Sequence, residues 1–228
     1  MTVFKYISAA ISCVGLALAS SWAVAGNNIA HDLASVEVNH KGKSVKIVRS
    51  DVKGAVIPAA YTKISRPCPP FCIQPIKIAK GVETVGELEV IKYLNASQPG
   101  NEDLIGTPPV LVVDSRTPEW VGRGTIPGSI NIPWTKISVD ERGGFPLGED
   151  LGAFTQILIN QFGANKVGEI WDYSKAKTLV LFCNGNWCGQ SAANIKTLLR
   201  LGYPAEKIKW YRGGMQSWIA SGLSTVNE

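Results

Sequence analysis

The chain has 228 residues, enough for one large domain or one domain with an appendage. Its formal net charge of +5 is scattered over the chain with no run of about five like charges. That argues against a nucleic-acid footprint and leaves a solvated surface with a slight bias toward anions.

Residues 1–25 read as a secretory signal peptide. Lys5 supplies a positive start, and Tyr6 to Ser20 is an uncharged, largely apolar run. Ala23-Val24-Ala25 forms a small-x-small cleavage signal before the polar Gly26-Asn27-Asn28, so the predicted cut follows Ala25. The competing reading is a membrane anchor, but the run is at the lower limit for spanning a bilayer, and no later stretch is long and apolar enough. The mature protein is therefore expected in the periplasm or outside the cell, without membrane contact after cleavage. Cys13 lies in the middle of the apolar run, not at its end, and leaves with it. Four cysteines remain, in the two close pairs Cys68/Cys72 and Cys183/Cys188, in a compartment that permits disulfides.

Residues 26–81 are expected to form an N-terminal hairpin followed by a Cys/Pro-rich linker. Val36-Glu37-Val38 and Val45-Lys46-Ile47-Val48 alternate apolar and polar residues around the turn-rich Asn39 to Lys43, the pattern of a β-hairpin with one buried face. His40 falls at that turn, where a solvated side chain is the expectation. It and His31 are the chain's two histidines, both N-terminal, which argues against a His-based triad or a His-rich metal site in the main domain. Four prolines between Ser65 and Pro75 prevent helix and central strand. This rigid, extended segment is expected to lie across the main domain and cover Phe71 and Ile73.

Residues 82–228 alternate helical and strand-like patterns. Val85 to Leu94 has helical spacing, Pro109 to Asp114 is a continuous apolar strand of the buried parallel type, and Ser129 to Pro133 is a shorter strand. Leu151 to Phe162 fits an amphipathic helix, Leu179 to Phe182 a third strand, and Ser191 to Leu201 the next helix. Lys207 to Tyr211 reads as a strand, and Gly213-Gly214 opens a last short helix. Such alternation predicts an α/β fold, a parallel sheet with helices on both faces, in which ligands bind beyond the carboxyl ends of the strands. Cys183 stands at such an end, between a buried strand and a helix N-terminus, where loop amides and the helix dipole stabilise a thiolate and an approaching anion.

Three elements in order resemble the rhodanese-like domain family, over roughly residues 82 to 224. Val113-Asp114-Ser115-Arg116-Thr117-Pro118-Glu119-Trp120 is followed by Gly124-Thr125-Ile126-Pro127-Gly128-Ser129 and the Asn131-Ile132-Pro133 strand. A cysteine then ends a strand, at Cys183, and Arg212-Gly213-Gly214-Met215-Gln216-Ser217-Trp218 matches the family's Gly-Gly and tryptophan signature. The resemblance implies a rhodanese-like fold and a sulfurtransferase that carries sulfane sulfur as a persulfide on Cys183. The donor would be a small sulfur-containing anion such as thiosulfate, and the acceptor a thiol or a protein sulfur acceptor. It implies no cofactor and no metal. The substrate-binding loop carried over by position is Asn184, Gly185, Asn186, Trp187, Gly189, Gln190 and Ser191, whose converging N–H groups would lower the thiol pKa and hold the donor.

The chain also departs from the family. Where the family loop commonly has an arginine, five positions after the cysteine, this chain has Cys188. The loop is about two residues longer, and the usual histidine of the Gly-His-Ile-Pro-Gly signature is Thr125. Cys188 is then a candidate resolving thiol for Cys183, or its partner in a structural bridge. Arg212 is a candidate anion contact in place of the missing loop arginine, with a plain surface arginine as the alternative. Cys68 and Cys72 lack the two-residue spacing of thioredoxin-like motifs and most zinc ligands. They read as a structural disulfide, as a redox partner for Cys183, or as half of a four-cysteine metal site. Asp114 and Arg116 read as a pair that ties loops together, and Trp187 as a pocket wall or a packing residue. Without an arginine between Cys183 and Arg200, the phosphatases built on a similar loop are not a match. Three readings of function stand: sulfur transfer through a Cys183 persulfide, thiol–disulfide or redox-sensing chemistry at Cys183 and Cys188, and a non-catalytic binding module.

Overall fold

A computed structural model of the chain describes residues 26–101, 109–138 and 151–227. Residues 1–25, where the sequence predicts a signal peptide, lie outside the described residues. Continuous apolar runs are buried on both sides only in the middle of a layered structure, and two such runs form its centre. β4 (Val110–Asp114) and β8 (Thr178–Phe182) pair in parallel, flanked by β9 (Ile208–Tyr211) and the two-residue edge strands β3 (Glu83–Thr84) and β5 (Ile130–Asn131). The order is β3-β9-β8-β4-β5, with every pairing parallel.

Because side chains alternate along a strand, each strand feeds two cores. Val180 and Phe182 of β8, with Val110 and Val112 of β4 and Tyr211 of β9, meet α2 (Glu87–Ala96) and α6 (Gly214–Ala220). Leu179 and Leu181, with Val113, Ile208 and Trp210, meet α5 (Gln190–Arg200) and the segment beginning with α4 (Leu151–Gln156). Each fully buried Leu, Val or Phe contributes about 1.5–3 kcal/mol of burial. The expected α/β sheet with helices on both faces is what the chain forms.

The N-terminal hairpin is also present, as antiparallel β1 (Ser35–His40) and β2 (Lys43–Val48). Its two-residue loop places Lys41 and Gly42 at positive φ, 51° and 80°, as a hairpin turn matched to strand twist requires. Val36, Val38 and Ile47 join the α2/α6 core. His40 departs from its expected solvation: it is buried, and its Nδ1 accepts the Gly128 N–H at 3.1 Å because the hairpin packs against the domain. Beyond β2, the chain pairs back with the C-terminal segment through Arg49 with Leu223, and Ser224 N–H donates to the Val48 carbonyl.

Several boundaries differ from the expected ones. Val85 N–H donates to the Trp210 carbonyl and so continues the sheet edge. α2 therefore starts at Glu87, after Gly86, whose N–H donates to Glu89 Oε2 at 2.9 Å. The helix expected over Leu151 to Phe162 closes in a π-helical turn at Ile157–Gln161. Two short helices, α1 (Ala59–Thr62) and α3 (Pro118–Val121), and a surface hairpin of β6 (Asn165–Val167) and β7 (Ile170–Asp172) complete the described elements apart from brief 3-10 turns. Among the described residues no helix is long and apolar enough to cross a membrane.

Candidate functional site

Cys183 is the first residue beyond β8, and its position is held by backbone. Its carbonyl accepts the Met215 N–H at 2.9 Å, and the Asn184 carbonyl accepts the Gln216 N–H at 2.9 Å. Such an approach requires glycine at 214. Its φ is +56°, and a Cβ there would overlap the Cys183 carbonyl. The Gly-Gly of the sequence thus seats the end of β8 against the start of α6.

The loop then turns tightly, with Cys188 N–H donating to the Gly185 carbonyl at 2.9 Å, and enters α5 after Gly189. The first-turn N–H groups of α5, those of Gln190, Ser191 and Ala192, have no intrahelical acceptor by the geometry of any helix start. The Ser191 hydroxyl is buried and accepts the Trp210 indole N–H at 3.1 Å, so its side chain serves the core instead of the loop. Asn184 is also buried, and its Oδ1 accepts from Arg116 Nη1 at 3.3 Å.

That arginine anchors the floor of the site. Arg116 and Asp114 have fully buried side chains, joined Nη2 to Oδ2 at 2.6 Å. Arg116 also donates to Tyr61 Oη, the Trp120 carbonyl and the Gly124 carbonyl. Burial works against its charge, but the hydrogen bonds and negative charge of Asp114 outweigh it and hold its pKa above the ordinary value. Thr125, in the position of the usual histidine, donates its hydroxyl to Asp114 Oδ2 at 2.7 Å.

Cys183 and Cys188 are joined as a disulfide, with Cα atoms 6.4 Å apart and both residues buried. Cys183 Sγ lies 3.3 Å from the Cys188 carbonyl oxygen, and Cys188 Sγ lies 3.6 Å from Gln190 Oε1. Cys68 and Cys72 form a second, local disulfide with Cα atoms 4.7 Å apart. Each pair closes on itself, which is not the arrangement of a four-cysteine metal site.

Beside the loop is a cavity of about 380 Å³. Cys188, Gly189, Gln190 and Asn184 line one side, and Trp187, Trp120 and Trp134 supply aromatic walls. Cys183 is not among the lining residues; the cysteine facing the cavity is Cys188. The opposite side comes from the proline-rich segment, through Arg66, Pro70 and Phe71. That segment does lie across the domain. Gln74 N–H donates to the Asn186 carbonyl at 2.8 Å, and Phe71 meets the Trp187 ring edge-on with centroids 5.7 Å apart. The anchoring comes from polar contacts as much as from burial, since Ile73 stays 69% exposed.

Arg212 does not reach the loop. Its guanidinium donates to the carbonyls of Gln74 and Pro75 and straps the segment down. The cation at the cavity is Arg66, whose guanidinium carbon lies 3.5 Å from the centroid of the Trp187 ring. Sequence reasoning missed it. The available signal was its place beside Pro67-Cys68 in a rigid segment expected to cross the domain. The Trp187 indole N–H donates to Gln216 Oε1 at 2.9 Å, which fixes the ring under that cation.

A family model described as a rhodanese-like domain matches residues 100–221. Among solved structures, a Bacillus halodurans protein is 17% identical, with a TM-score of 0.41 over 64% of this chain and 77% of its own. A rhodanese-related protein from Thermoplasma volcanium is 22% identical, with a TM-score of 0.33 over 64% of this chain and 99% of its own. A human single-domain sulfurtransferase is 25% identical, with a TM-score of 0.33 over 61% of this chain and 96% of its own. No curated protein matches the chain.

Proposed function

Because this chain belongs to the rhodanese-like domain family, we propose that it is a sulfurtransferase that carries sulfane sulfur as a persulfide on Cys183. The observation that carries the reading is the seat of Cys183. It stands at the carboxyl end of a central parallel strand, its carbonyl gripped by α6, with the loop from Asn184 to Gly189 leading into the N-terminus of α5. In the reaction, the Cys183 thiolate attacks the outer sulfur of a thiosulfate-like donor. The donor's S–S bond breaks and sulfite leaves with the electron pair. An acceptor thiolate then attacks the outer sulfur of the persulfide and returns the Cys183 thiolate.

The bridge to Cys188 must open first. A thiol arriving through the cavity meets Cys188, attacks its sulfur, and releases Cys183 as the leaving thiolate. A second thiol frees Cys188 and leaves as the disulfide of the two reductant thiols. The same juxtaposition of sulfurs favours a second reading, in which reversible closure of this bridge is itself the activity. Export to the periplasm after cleavage at Ala25 belongs to the proposal, supported by two cysteine pairs that an oxidising compartment keeps joined.

Intact-mass measurement separates these readings. After reduction, removal of reductant and addition of thiosulfate, wild type and Cys188→Ser should each gain one sulfur, and Cys183→Ser none. If reduced Cys188→Ser takes up no sulfur, transfer through Cys183 from this donor is wrong. Reversible loss of two hydrogens without sulfur uptake would select the redox reading.

A further inference from the structure

We infer that the second disulfide, Cys68–Cys72, is a redox site in its own right, an outer pair that takes reducing equivalents from a protein dithiol and hands them to Cys183–Cys188. The inference rests on the sulfur-transfer reading only in that it supplies the opening of the inner bridge, which that reading requires. Thiol–disulfide exchange needs direct access to a sulfur. Cys183 and Cys188 are 2% and 4% exposed, and the proline-rich segment walls the cavity in front of Cys188. A small thiol fits such a cavity, whereas a thiol carried on a folded protein meets the segment first. On that segment Cys68 is exposed and Cys72 half-buried. Access to the four sulfurs thus falls in one direction, from Cys68 through Cys72 to the cavity-facing Cys188 and then Cys183.

The residues around Cys72 are docked on the residues around Cys188. Phe71 meets the Trp187 ring with centroids 5.7 Å apart, and Gln74 N–H donates to the Asn186 carbonyl at 2.8 Å. The Gln74 side-chain amide donates to the Cys72 carbonyl at 2.9 Å, and a Cβ on Gly189 would lie 3.8 Å from the same nitrogen. One glutamine amide therefore separates the backbone of Cys72 from the residue that follows Cys188.

The exchange balances in two stages. One thiolate of the reductant attacks the Cys68 sulfur, the Cys68–Cys72 bond breaks, and Cys72 leaves as a thiolate with the electron pair. The reductant's second thiolate attacks its own mixed-disulfide sulfur, releases Cys68 and departs as the oxidised dithiol. The Cys72 thiolate then attacks the Cys188 sulfur and Cys183 leaves as a thiolate. The Cys68 thiolate attacks Cys72, the outer bridge re-forms, and Cys188 is released. The net result is one oxidised dithiol, a reduced inner pair and an unchanged outer pair, with the dithiol's two protons shared between the freed thiols and water.

Trapping tests the hand-over in the full mature chain. Cys68→Ser/Cys183→Ser keeps Cys72 and Cys188 as its thiols. Reduced and then oxidised with diamide at micromolar protein, it should form the internal Cys72–Cys188 bridge about tenfold or more in preference to dimers, because thiols tethered within reach have millimolar effective concentrations. Dimers or free thiols in the peptide mass map overturn the relay. Rates test its direction. Opening of the inner bridge by reduced thioredoxin, read by timed alkylation, should be about tenfold or more slower in Cys68→Ser/Cys72→Ser than in wild type, while dithiothreitol opens both at similar rates. A bridge that merely pins the segment predicts the opposite sign, since its loss would loosen the cavity wall. Equal or faster opening by thioredoxin, or a slowing shared by dithiothreitol, counts against the relay. Sulfur uptake after dithiothreitol reduction is scored separately. Uptake without a relay strikes this inference alone, and a relay without uptake strikes the persulfide reading alone.

Discussion

Replacing Arg116 with leucine should cost more stability than almost any other single change in this protein. The side chains of Arg116 and Asp114 are fully buried, and their contact is multiple, with Nε at 2.9 and 3.1 Å and Nη2 at 2.6 Å from the carboxylate oxygens. Removing one member of a buried pair leaves the other charge without compensation, at a cost of about 3–5 kcal/mol. Among the described residues, Asp114 then keeps only the Thr125 hydroxyl and the backbone N–H of residue 116. Tyr61 Oη, Asn184 Oδ1 and the Trp120 and Gly124 carbonyls lose their donor as well. For a chain of this length the loss corresponds to a fall in Tm of about 6–20 °C. Thermal and denaturant unfolding of the single variants and of Asp114→Leu/Arg116→Leu would close a double-mutant cycle. The double variant should recover about 2 kcal/mol relative to Arg116→Leu, because the orphaned carboxylate is gone. A single-variant cost below about 1 kcal/mol, the value of an exposed pair, would refute the buried anchor.

Other outcomes follow from the same geometry. Gly214→Ala should destabilise by about 1–3 kcal/mol, because a Cβ at φ +56° overlaps the Cys183 carbonyl, and alkylation of reduced Cys183 should change with it; unaltered stability would contradict the close packing. Glu87 accepts hydrogen bonds from the Tyr211 and Ser217 hydroxyls, and although burial opposes its charge these bonds hold its pKa below the ordinary value. Its folded pKa is thus below its unfolded one, so its contribution is complete above the ordinary carboxylate range and is lost as pH falls through the folded value. Denaturant midpoints of wild type and Glu87→Gln should therefore differ at neutral pH and converge on acidification; a gap that widens in acid would reverse the sign. N-terminal sequencing of exported protein should begin at Gly26, and a retained leader would disprove cleavage after Ala25.

Legibility in the sequence tracked how much each residue's fate depends on its neighbours in the chain. Leu179 to Phe182 and Val110 to Asp114 could be read directly, because burial on both faces leaves an unbroken apolar run. Glu83–Thr84 could not, since a two-residue edge strand has no period to detect. The β6–β7 hairpin was equally silent: Val167 and Ile170 are 68% and 75% exposed, so no buried face patterns it. Cys183 was legible from its place between strand and helix. Arg66 and Arg212 were not, because their roles depend on where a non-helical, non-strand segment comes to rest. Arg212 is a candidate for the anion because it follows the last strand and could replace the missing loop arginine in space, but the Gln74 and Pro75 carbonyls claim it. Tyr61 likewise sits under Arg116 only because the chain doubles back across 55 residues.

The docked N-terminal hairpin has a practical consequence for anyone shortening this protein. A fragment cut to residues 100–221 would discard α2 and both hairpin strands, the layer that roofs Val112, Val180 and Phe182. It would also discard Tyr61 and the segment that forms one wall of the cavity. The bared apolar face would look for another cover, so such a fragment is expected to self-associate, and a failure of that fragment to take up sulfur would say nothing about Cys183.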